Sequence, residues 1–254
     1  MQAVVDSLLT NYRKTGQGKV VVMLHGWASD STTFGELATR LNSKYAVLAL
    51  DLPGFGGSEA PPEVWRLENY AGFLAKWLKK IGAGEVYGLV GHSFGGSVAI
   101  TALASDKLKA KKLILLSSAG VRNKQKLRKS SLAAVAKTGK AVTFWLPEST
   151  RQKLRRGFYA RTGSDALLKP ELEQSFRAMM KQDVQSLAAR VKTPTLLIYG
   201  QADQQTPLKD AQALHHAIKS SKLEVLPGLD HFAHRDQPDQ VAQLVMDFLS
   251  EAKK

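Results

Sequence analysis

Cysteine is absent from the 254 residues, which excludes disulfides and thiolate chemistry. No apolar run reaches the ~18 residues that would suggest a membrane-crossing helix. Aromatic residues make up only 7% of the chain, and acidic side chains are outnumbered, 22 against 36 Lys and Arg. The opening stretch "MQAVVDSLLTNYRKTG" lacks the basic start, continuous apolar core and small-residue cleavage site of a signal peptide, so a cytoplasmic location is expected. There is no internal repeat and no low-complexity tract. What is present is a 44% apolar composition, enough for the sizeable core of one large domain or of one domain carrying an insertion.

The formal charge of +14 is unevenly placed. Residues 121–192 hold 17 Lys or Arg against 5 Asp or Glu, so nearly the whole excess lies in one internal segment. Such an asymmetry marks a second unit with its own role.

Outside that segment a rhythm repeats. "KVVVMLHG" (19–26), "YAVLALD" (45–51), "VYGLVGH" (86–92), "KLILLSS" (112–118), "TLLIYG" (195–200) and "KLEVLPG" (222–228) are short apolar runs. Several are β-branched, and they end in Gly, Asp, Ser or His. They read as parallel strands buried on both faces. Helical patterns at 69–82, 97–105, 207–219 and 239–254 alternate with them. The expected fold is therefore α/β: a doubly wound, mostly parallel sheet. Between about 121 and 192 the pattern is helical without a convincing strand. The expected organisation is a core of residues 1–120 and 193–254 interrupted by a basic helical cap, residues 121–192.

"GHSFGG" (91–96) follows one of these strands and precedes a helix. A plain helix cap would not need glycines around its serine. A sharp strand-to-helix turn that exposes Ser93 would need them, because backbone and helix must approach where a Cβ would clash. A serine hydroxyl needs a base, and the base needs a group to orient it. Among six histidines, His25 and His92 stand at strand ends, and His215 and His216 fall on a helix. His231 lies on a loop after the last strand, with His234 three residues later as its competitor. For the orienting acid, Asp203 follows the strand "TLLIYG". Asp230 adjoins His231 too closely for the geometry, and Asp51 in "DLPGFGGS" is placed to organise a loop. The oxyanion donors expected are the backbone N–H of Phe94, next to Ser93, and of Trp27 in "HGW".

"LHGW", "LDLPGFGGS", "GHSFGG", "LLIYGQAD" and "LPGLDH" together resemble the landmarks of the α/β-hydrolase superfamily, in order and across nearly the whole chain. That resemblance implies the triad order Ser93, Asp203, His231, with oxyanion amides at Trp27 and Phe94. A serine at 93 departs from haloalkane dehalogenases and epoxide hydrolases, whose nucleophile is aspartate. "HGWASD" and "GHS" depart from the oxyanion loop and Asn-Ser elbow usual in C–C bond hydrolases. Carboxylic ester hydrolysis is the expectation that remains; a C–C bond hydrolase or a non-catalytic binding protein of the same fold are the alternatives.

No cofactor is expected. "GFGGSE" and "GHSFGG" lack the spacing of a dinucleotide loop, no Walker lysine follows either, and no ligand cluster suggests a metal. The substrate expected is a small-molecule or lipid ester. The basic cap reads either as a solvated helical face or as a surface suited to an anionic membrane, which gives a peripheral membrane location, or to an acidic carrier protein. "HGW" and the basic segment resemble pimeloyl-carrier-protein methyl ester esterases in this respect. Its aromatics are too few and too apolar in context for a nucleic-acid stacking platform.

Overall fold

Successive side chains of a strand face opposite ways, and in this chain both faces are apolar. Val22, Leu24, Leu89, Leu113, Leu115 and Leu197 enter one core, whereas Val21, Met23, Val90, Ile114 and Ile198 enter the other. Two helical layers are needed to cover such a sheet. In the computed structural model, which describes residues 1–121 and 169–251, they are present. The helices Leu67–Lys80, Phe94–Ala104 and Leu208–Ala217 cover the first face. Gly35–Leu41 and Pro238–Ser250 cover the second.

The strands are β1 (Gln2–Val5), β2 (Leu8–Thr15), β3 (Lys19–Leu24), β4 (Tyr45–Leu50), β5 (Val86–His92), β6 (Ala110–Leu116), β7 (Thr195–Gly200) and β8 (Ser221–Leu226). They form one eight-stranded sheet in the order β1-β2-β4-β3-β5-β6-β7-β8. From β4 to β8 every neighbour is parallel, so the carboxyl ends of β3, β5, β7 and β8 open on one edge. This mostly parallel, helix-covered sheet is the architecture expected from the sequence.

The antiparallel hairpin β1–β2 was not among the expected strands. It sits at the sheet edge, and β2 buries only alternate residues at its start, so it carries no continuous apolar run. Its turn is made by Asp6 and Ser7, both at positive φ (48° and 64°). Asn and Gly usually mark such a turn, and neither is there.

Residues 122–168 lie outside the described residues, and with them most of the expected cap and its basic cluster. The returning part, 169–192, contains the short helices Glu173–Met179 and Gln185–Ala188 and no strand. It is tied to the core. The Trp65 N–H donates to Ser175 Oγ at 2.9 Å, the Leu67 N–H donates to Gln182 Oε1 at 3.0 Å, and the Val184 N–H donates to the Gly120 carbonyl at 3.0 Å. No described helix is long and apolar enough to cross a membrane.

Candidate active site

Ser93 stands between β5 and the helix Phe94–Ala104 with φ 49° and ψ −113°. A non-glycine residue at positive φ is strained and persists only where its surroundings hold it. Here the Ser93 N–H donates to the Leu116 carbonyl, and the Ser93 carbonyl accepts from the N–H groups of Gly96 and Ala119, all at 3.0 Å. A Cβ on Gly91 would fall 2.6 Å from the Gly95 carbonyl oxygen and the Gly96 nitrogen. One on Gly95 would collide with the Leu24 carbonyl. The glycines are thus required by close approach: without them the helix could not start so near the ends of β5 and β3.

That approach also brings Phe94 beside Trp27, whose ring centroids lie 5.5 Å apart. Trp27 packs further on Phe55 and on Phe176, both at 4.9 Å. Phe176 belongs to the described part of the expected cap. The two residues expected to donate to an oxyanion therefore flank one aromatic cluster at the carboxyl edge.

Asp203, after β7, and His231, after β8, meet there. The His231 Nδ1–H donates to Asp203 Oδ2 at 2.9 Å, and both side chains are buried. A carboxylate can only accept, so the proton sits on Nδ1 and the lone pair is left on Nε2, the atom a general base needs. The same carboxylate does a second job. Its Oδ1 accepts the backbone N–H groups of Gln205 and Thr206 at 2.9 Å each, and the Thr206 hydroxyl donates to Oδ2 at 2.7 Å. Burial pushes the Asp203 carboxyl up, but the hydrogen bonds from His231 and Thr206 outweigh it and hold it below the usual carboxylate range. Thr206 was not singled out from the sequence; its signal is the D-x-x-T spacing of a side chain capping its own turn.

The competitors lie elsewhere. Asp230 Oδ1 accepts the Phe232 N–H at 2.9 Å, a local turn contact. Asp51 accepts from the Ser31 and Gly57 N–H groups and from Asn11 Nδ2, organising the loops after β3 and β4. His234 packs its ring on Phe34 and His92, with Nε2 3.3 Å from Thr33 Oγ1. Burial, then the nearby Arg235 and His231, lower its pKa to about 3. His215 is bound to Ser221 at 2.8 Å and lies with His216 at the end of the helix after Asp203. His25 lies between two backbone groups: its Nδ1–H donates to the Gly26 carbonyl at 2.7 Å, and its Nε2 accepts the Leu52 N–H at 2.9 Å. Among the described residues, no group of three His, Asp or Glu side chains is placed to hold a metal ion.

Comparison with known proteins identifies the family. The model of the alpha/beta hydrolase family matches residues 21–244. The chain is 29% identical over 234 residues to a pimeloyl-acyl-carrier-protein methyl ester esterase of Chromobacterium violaceum, covering 85% of this chain and 88% of the relative. It is 27% identical over 269 residues to a 2-hydroxymuconate semialdehyde hydrolase of Pseudomonas putida, covering 96% and 91%. In three dimensions it is similar to a thermophilic esterase from Thermogutta terrifontis, with a TM-score of 0.74 at 22% identity over 98% and 97% of the two chains. A strained serine at a strand-to-helix turn, a buried acid–histidine pair on the same sheet edge, and a family match spanning both leave one assignment: the chain belongs to the alpha/beta hydrolase family.

Proposed function

We propose that the protein hydrolyses carboxylic esters through a covalent acyl-enzyme, with Ser93 as nucleophile, His231 as base and Asp203 as its orienter. The observation that carries this reading is the buried 2.9 Å contact between Asp203 and His231, which leaves His231 Nε2 as the lone-pair nitrogen at the edge where Ser93 turns. In the first half-reaction Nε2 takes the Ser93 hydroxyl proton as Oγ bonds to the ester carbonyl carbon. The oxyanion is stabilised by the Trp27 and Phe94 N–H groups. The tetrahedral species collapses, the C–O bond to the alcohol breaks, and His231 returns its proton to the leaving oxygen. Water, deprotonated by the same Nε2, then attacks the acyl carbon and frees Ser93 with release of the carboxylic acid.

The sequence similarity to a carrier-protein methyl ester esterase supports an ester as substrate. The similarity to a semialdehyde hydrolase supports the alternative, in which the same residues cleave a C–C bond. A fluorophosphonate probe and a panel of p-nitrophenyl esters of graded chain length test the reading. Wild type should be labelled once and turn the esters over, and Ser93→Ala should do neither. Labelling that survives Ser93→Ala places the nucleophile elsewhere. Labelling without turnover of any ester favours the C–C alternative. The basic segment 121–192 suits recruitment of an ester carried on an anionic membrane or an acidic carrier protein.

A further inference from the structure

His92, the residue before Ser93, has no part in the proton transfers above, yet it is buried between two of the loops that the reaction needs. Its Nε2 lies 3.1 Å from the backbone carbonyl of His231. A carbonyl only accepts, so Nε2 carries the proton and donates, and Nδ1 is left bare. No polar partner reaches that Nδ1 among the described residues. It faces Gly26 instead, where a Cβ would stand only 3.0 Å from it. The ring also packs on His231 at 4.8 Å and on His234 at 4.4 Å between centroids.

From this we infer that His92 is a positioning residue: its Nε2–H holds the His231 backbone in register with the Ser93 elbow, and its bare Nδ1 edge rests on Gly26. The inference rests on the ester-hydrolase reading for its kinetic consequence, but the contact itself does not. Asp203 orients the ring of His231 and says nothing about where the residue's backbone stands. His92 supplies that second anchor. Because His92 and Ser93 are consecutive, the anchor moves with the nucleophile, and the two reacting residues keep a common frame. Gly26 is held in turn by His25 on its carbonyl side, so the strand leading to Trp27 joins the same frame. Burial lowers the pKa of both His25 and His92, which suits the single-proton tautomers these contacts require.

The test compares His92→Leu, which keeps bulk and removes the donor, with His92→Gln, whose Nε2 can reach the same carbonyl. Misplacing a catalytic group by about 1 Å can cost ~100-fold. His92→Leu should therefore lower kcat by roughly 10- to 100-fold, with KM changed by less than about twofold. His92→Gln should recover most of that loss. The downfield proton NMR signal of His231 Nδ1–H, identified by its loss in His231→Ala, should shift in His92→Leu and return in His92→Gln. Should His92→Leu fail to fold, His92→Asn, whose amide is too short to reach the carbonyl, carries the same expectation. Wild-type kcat and an unshifted signal in the donor-free variant would overturn the inference. So would equal loss in the Leu and Gln variants, which would assign the effect to ring shape. Ser93→Ala is assayed alongside. If it stays active, the ester-hydrolase reading fails, and the NMR signal still decides whether His92 braces His231.

Discussion

The carboxylate of Asp203 is divided between two tasks: Oδ2 accepts the Nδ1–H of His231 at 2.9 Å, while Oδ1 accepts the backbone N–H groups of Gln205 and Thr206. The turn holds the carboxylate independently of the histidine, so the acid is set in place by its own loop. Replacing Asp203 by Asn keeps the shape and lets an amide N–H face His231, which favours the wrong tautomer. Asp203→Asn should lower kcat for a p-nitrophenyl ester by about 10⁴-fold. His231→Ala should lose roughly 10³-fold or more, and His234→Ala far less. An active His231→Ala beside a dead His234→Ala would reverse the assignment of the two histidines.

Gly95 lies where the helix after Ser93 presses on the end of β3. A methyl group there would run into the Leu24 carbonyl, a backbone atom that cannot swing aside. Gly95→Ala should destabilise the protein by about 3 kcal/mol, the upper part of the usual range for overpacking a tight core. Urea denaturation reads this directly. A midpoint equal to that of wild type would show that the helix start can shift without loss.

His234 provides a pH signature for stability. Its folded pKa, about 3, lies below the ordinary histidine value of 6.5. The unfolded chain therefore binds a proton that the folded chain resists. The contribution is complete above the ordinary value and is lost progressively as the pH falls from there towards about 3. By pH ~5 this one group should cost about 2 kcal/mol. His234→Phe, which keeps the ring against Phe34, should flatten the fall of the thermal midpoint between pH ~6.5 and ~5. Parallel curves for variant and wild type would show that His234 is solvated enough to titrate normally.

The basic segment yields a prediction about recruitment. Reversing Arg151, Lys153, Arg155 and Arg156 to Glu should leave turnover of a small soluble ester nearly unchanged. Binding to anionic vesicles or to an acidic carrier protein should be stronger at low salt in wild type, at about 1 kcal/mol per basic residue near the surface, and should largely vanish in the variant. Wild type indifferent to both partners at low salt would leave the charge as a solvated face.

The sequence by itself determined the parallel sheet, because a strand buried on both faces is written as an unbroken apolar run. "YAVLAL" and "TLLIYG" are buried at every residue, and both were legible. It also determined the elbow, since Gly91, Ser93 and Gly95 carry a backbone requirement that few other residues meet. The antiparallel edge hairpin was not legible. β1 and β2 bury too little to leave a run, and their turn uses Asp6 and Ser7 where Gly or Asn would have signalled it. Only the tertiary structure decided which side chains actually touch. Asp203 and Asp230 both stand on loops, yet one reaches His231 and the other closes its own turn. His92 gained its contact from a loop far away in the chain, and Thr206 reaches the distant Ser117 carbonyl as well as its own turn. A hydrogen bond between residues 139 apart depends on which strand ends the sheet order brings together, and local patterning does not contain that order.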